Sequence, residues 1–78
     1  MEERYKKLVE YIARGLVDSP DDVSVCVNDL GDEHVVELSV LEEDRGKVIG
    51  RKGRTAHAIR TLLDAAADGD RVSLDIVD

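Results

Sequence analysis

Aromatic side chains are almost missing from this 78-residue chain, which has Tyr5 and Tyr11 but no Trp and no Phe. Both lie near the N-terminus, so no aromatic platform is available on which successive bases could stack. Cysteine occurs once, as Cys26; that excludes an internal disulfide framework and suits a reducing compartment. A lone thiol of this kind is expected as a small core or strand residue. With only His34 and His57 beside it, it forms no metal-ligand constellation, and no cofactor is expected. No apolar run approaches the roughly 20 residues that cross a bilayer. The opening MEERYKK leads into an amphipathic pattern and does not resemble a secretory leader. A chain this short has room for one thin core, which a partner subunit would help to stabilise. The expectation is one cytoplasmic domain over residues 1–78, with no membrane insertion.

Another absence is local. The formal net charge is -7, yet residues 45–63 contain no Asp or Glu. That window holds Arg45, Lys47, Arg51, Lys52, Arg54 and Arg60, six of the eleven basic residues. The other 59 positions carry five bases against eighteen acids, or -13. An acidic surface repels a polyanion, and here one segment is exempt.

The rest of the pattern is legible as elements. Tyr5, Leu8, Val9, Ile12, Ala13 and Leu16 recur at helical spacing, which predicts a helix over 2–17. Pro20 and its Asp and Ser neighbours end it. Val23, Val25 and Val27 alternate with polar residues, as do Val36, Leu38 and Val40. This predicts hairpin strands over 23–28 and 34–41, joined through NDLGDE. Residues 43–67 read as two helices interrupted by Gly50-Arg51-Lys52-Gly53, and Val72, Leu74 and Ile76 mark a strand over 71–77. The expected fold class is α+β, in the order α-β-β-α-α-β, with a three-stranded sheet covered by helices on one face.

The interruption carries the chemistry. Glycine suits a tight turn that needs positive φ or close backbone approach. The amides that open the following helix form a positive pole suited to phosphate. Arg51 and Lys52 sit between the two glycines, Lys47 and Arg54 flank them, and Val48 and Ile49 offer an apolar edge to a base. Nucleotide loops fail on spacing: three residues rather than four lie between Gly46 and Gly50, Arg51 follows, and no Gly-x-Gly-x-x-Gly is present. Gly46 is therefore expected to be a packing glycine of the preceding short helix.

The segment VIGRKGRTAHAIRTLL, residues 48–63, resembles the signature of the KH domain, a module that binds single-stranded nucleic acid. The element order is similar to the type II arrangement. Over nearly the whole chain, the sequence resembles the bacterial KH-domain protein A (KhpA) family. That resemblance implies a Gly-x-x-Gly clamp on the nucleic-acid backbone at Gly50, Arg51, Lys52 and Gly53, and a groove role for Val48 and Ile49. It also implies single-stranded RNA as ligand, with single-stranded DNA left open, and a role as RNA chaperone or post-transcriptional regulator. Homodimers, or heterodimers with a KhpB (Jag)-type KH protein, and a connection with cell-envelope growth and cell shape belong to the same implication. The alternative is a protein-interaction module whose RNA binding comes mainly from its partner. No pair of titratable groups has the makings of an acid, base or nucleophile site, so no enzyme is expected.

Overall fold

The computed structural model describes residues 2–77. The first helix, α1 (Glu2–Leu16), leads through a single 3-10 turn at Pro20–Asp22 into β1 (Ser24–Asp29) and β2 (His34–Ser39). A second 3-10 turn, Glu42–Asp44, precedes the short α2 (Arg45–Ile49). A third, Arg51–Gly53, separates it from α3 (Arg54–Ala66), and β3 (Val72–Ile76) closes the chain. The fold is the expected α+β arrangement.

The sheet order is β1-β2-β3, with β2 antiparallel to β1 and parallel to β3. Val25 faces Leu38 and Val27 faces Val36 across the first pair; Val36 faces Leu74 and Leu38 faces Ile76 across the second. Because side chains alternate across a strand, this register places one continuous apolar set beneath the helices. Val36 and Leu38 of the central strand are fully buried. Against them pack Tyr5, Val9 and Ala13 of α1, Val48 of α2, and Ile59 and Leu63 of α3. The opposite face is polar: Cys26, Glu37 and Asp75 lie side by side across the three strands, and Cys26 is an exposed strand residue.

Several boundaries differ from the expected ones. The second strand stops at Ser39 rather than 41, because Ser39 pairs with Ser24, the first residue of β1. Val40 still contributes to the core from beyond the strand. The helical stretch expected from 43 begins as a 3-10 turn and becomes α-helix at Arg45, so α2 is barely more than one turn.

Tyr5 ties the two ends of the fold together. Its ring is buried and its hydroxyl donates toward the Ala67 carbonyl at 3.3 Å and the Asp70 carboxylate at 3.0 Å. Burial, and then the bond to Asp70, raise its pKa above the ordinary phenol value. The phenol is thus a core residue that secures the turn between α3 and β3, as its place on the apolar stripe of α1 suggested.

Candidate nucleic-acid interface

The loop between α2 and α3 is built on unusual backbone conformations. Gly50 has φ 79 and ψ 170, a region that essentially only glycine occupies. A Cβ at this position would also run into the side chain of Thr55 and come within 2.8 Å of the Thr55 backbone nitrogen. Two independent constraints therefore require glycine here. Gly53 lies in the left-handed region, with φ 74 and ψ 15, but has open space where a Cβ would point. Lys52 between them is also left-handed, with φ 57 and ψ 26, a strain of about 1 kcal/mol for a residue with a Cβ. The chain accepts this and thereby turns within four residues from one helix into the next.

Hydrogen bonds fix the turn. The Gly50 amide donates to the Gly46 carbonyl at 2.9 Å and closes α2, and the Gly53 amide donates to the Gly50 carbonyl at 3.1 Å. The Arg54 amide donates to the Arg51 carbonyl. The Arg54 amide, expected to be open to phosphate, is thus already engaged, as is that of Gly53, and fewer amides are available at the start of α3 than its dipole alone suggested.

The cations fall into two groups. Arg51, Lys52, Arg54 and Arg60 are all exposed, and among the described residues none of them pairs with a carboxylate. Lys47 differs. Its ammonium lies 3.1 Å from the Asp18 carboxylate and 3.3 Å from that of Asp44. The bond to Asp18, and then that to Asp44, raise its pKa above the usual lysine value. Asp44 is 2 % exposed and accepts hydrogen bonds from the amides of Asp18 at 3.4 Å and Ser19 at 3.2 Å. Burial alone would push its carboxyl up, but those two amides and Lys47 outweigh it and hold the pKa below the ordinary value. Asp44 stands at the N-cap of α2. Its carboxylate makes no cap bond there and instead tethers the α1–β1 loop to the helix that precedes the Gly50–Gly53 turn.

A pH dependence follows. Asp44 is shifted downward in the folded state, so its contribution is complete above the unfolded value and is lost as pH falls through the lower folded one. Acid unfolding of the wild type should therefore have a steep limb below the ordinary carboxylate value of 3.8. Asp44→Asn should flatten that limb when denaturation midpoints are measured from pH 2 to 6. Lys47, shifted upward, contributes below its unfolded value and loses that contribution only as pH rises through the higher folded one, so both are intact at neutral pH.

Two placements narrow the expected site. Val48, expected on an apolar edge, is fully buried in the core, and Ile49 beside it is half-buried. Adjacent residues of a one-turn helix point in different directions, and only Ile49 retains surface. Gly46 lies in open space with nothing within 4 Å of an added Cβ, so it is not a packing glycine. Gly46→Ala is expected to leave the core unchanged and to stabilise the domain by about 0.5–1 kcal/mol through helix propensity, read from the urea midpoint.

Comparison with known proteins places the chain in a family. The family model described as "KhpA/KhpB, KH domain" matches residues 6–76. The chain belongs to the KhpA/KhpB KH-domain family. Among its relatives, the "RNA-binding protein KhpA" of Halalkalibacterium halodurans is 55% identical over 75 residues, covering 94% of this chain and 99% of the relative. That of Leifsonia xyli subsp. xyli is 52% identical, covering 87% and 90%. That of Clostridium perfringens is 51% identical, covering 92% and 99%. No solved structure matches the chain. The KH domain of this chain has its Gly-x-x-Gly turn at Gly50–Gly53, within the acid-free window. Among the described residues, no helix is long and apolar enough to cross a membrane.

Sequence reasoning missed Asp18, Asp44 and Thr55. The three-residue spacing of Asp44 and Lys47 was a local signal for one ion pair. Nothing local signals a bond between residues 26 apart, such as that of the Asp18 amide to Asp44.

Proposed function

We propose that this KH domain binds single-stranded RNA by clamping its backbone against the Gly50–Gly53 turn. Arg51, Lys52 and Arg54 meet phosphates, and the remaining surface of Ile49 lies beside a base. The observation that carries this reading is the contrast between those exposed, unpaired cations and the acids elsewhere. Glu37 and Asp75 are neighbours on the open sheet face, so a polyanion is repelled there and admitted at the turn. Within the family this fits a cytoplasmic RNA chaperone or post-transcriptional regulator. A few phosphate contacts give weak affinity from one domain, and pairing with a second copy or a second KH protein raises it through avidity. Single-stranded DNA, which shares the phosphate backbone, is the natural competitor to include.

One observation favours the alternative, an interaction module whose partner supplies most of the RNA contact: Tyr11 is 82% exposed on α1 and lines one surface depression with the exposed Leu16. Ultraviolet cross-linking of the purified chain to a short single-stranded RNA separates the two readings. Cross-links mapping to the peptide around residues 49–54 support the clamp. Cross-links formed only after a partner is added support the module.

A further inference from the structure

Lys47 lies on α2 three residues before the clamp, yet in this structure it faces two carboxylates. Those carboxylates are not equivalent. Asp44 is buried and held by two backbone amides, so it is a fixed part of the fold. Asp18 has a side chain 80% exposed, and its carboxylate touches Lys47 at 3.1 Å. The amide of Asp18, not its carboxylate, bonds to Asp44, so the loop does not need the acid to keep its position. The Lys47 side chain is itself 42% exposed and can be reached from solvent.

We propose that Asp18 sets the RNA affinity of this domain by occupying Lys47 in place of an RNA phosphate. The proposal rests on reading the Gly50–Gly53 turn as the RNA clamp. An exposed ion pair is weak, since both charges are well hydrated. A phosphate that approaches the neighbouring turn therefore exchanges for the Asp18 carboxylate at little cost, while Asp44 stays in place beneath. Until that exchange, Lys47 contributes no attraction to RNA and the Asp18 charge repels it. Asp18 is thus an affinity-setting residue that acts through Lys47 and need not touch RNA.

The test compares Asp18→Asn with the wild type for binding of a short single-stranded RNA across a range of salt. Asp21→Asn, an equal change of charge in the same loop, is the control. Asp18→Asn is expected to bind roughly two- to fivefold tighter at low salt. Its slope of log affinity against log salt should be steeper by about 0.7, the value for one more neutralised phosphate on a single strand. Lys47→Gln combined with Asp18→Asn should abolish the gain. Equal tightening by the Asp18 and Asp21 variants, or a gain that persists without Lys47, overturns the proposal. Asp18→Ser provides a second replacement, so a folding defect in one variant, seen by circular dichroism, leaves the comparison intact. Charge reversal at Arg51 and Lys52 separates the two levels. If it leaves binding intact, the clamp reading fails and this proposal fails with it. If it abolishes binding and Asp18→Asn gives no gain, the Asp18 proposal alone fails.

Discussion

Alanine at position 50 is expected to destabilise the whole domain by about 3 kcal/mol, combining backbone strain with a steric clash. Gly50 sits at φ 79 and ψ 170, where a Cβ is disfavoured even in open space. Here the space is not open, since the Cβ would approach the Thr55 backbone nitrogen at 2.8 Å and strike the Thr55 side chain as well. Thr55 lies in the first turn of α3, so relief requires the helix to move. That helix carries Ile59 and Leu63 into the core, and the strain is therefore transmitted to packing. A domain of this length has roughly 4–12 kcal/mol of stability in total. The expected fall in melting temperature is roughly 12–24 °C.

The second glycine supplies the control. Gly53 needs its left-handed φ but has no neighbour within 4 Å of an added Cβ. Gly53→Ala should cost only about 1–2 kcal/mol, and Gly53→Asn much less, since Asn tolerates that conformation. Equal melting temperatures for Gly50→Ala and Gly53→Ala would show that the contact with Thr55 does not constrain the turn.

How much of this was legible in the sequence depended on distance along the chain. The stripe on α1 placed Tyr5, Val9 and Ala13 in the core because helical period is a local property, and the alternation of valines placed β1 and β2 in the same way. The Gly-x-x-Gly spacing and its acid-free surroundings were equally plain, as was the element order. What the pattern could not resolve was direction within α2. Five residues are too few for a period to show which of Val48 and Ile49 faces inward, and Val48 went to the core. Nor could it show that Lys47 is also held by Asp18, because that requires the α1–β1 loop to fold back onto α2. The charge count treated all six bases of the window alike, whereas the tertiary structure leaves Arg51, Lys52, Arg54 and Arg60 facing solvent and pairs Lys47 with two carboxylates.

That separation determines the second large effect, at Arg51 and Lys52. Reversing both charges, with Arg51→Asp and Lys52→Asp, is expected to lower affinity for single-stranded RNA by about 100-fold or more. Two charge-assisted phosphate contacts at about 1.5 kcal/mol each account for that factor before repulsion is added. The salt slope should become shallower by about 1.4, or roughly 0.7 for each phosphate released. Folding should survive, because both side chains are exposed and surface changes of this kind usually shift stability by no more than about 0.5 kcal/mol. Position 52 favours the substitution further: Lys52 holds a left-handed φ of 57, a conformation that Asp accepts more readily than Lys. The matched control reverses Lys6 and Lys7 on α1, which changes the net charge equally and leaves the turn untouched. If affinity falls as far in the control as in the loop variant, the acidic field of the whole molecule governs binding and the clamp does not. If it falls only in the loop variant, and the melting curves coincide, the contact is local to the four residues between α2 and α3.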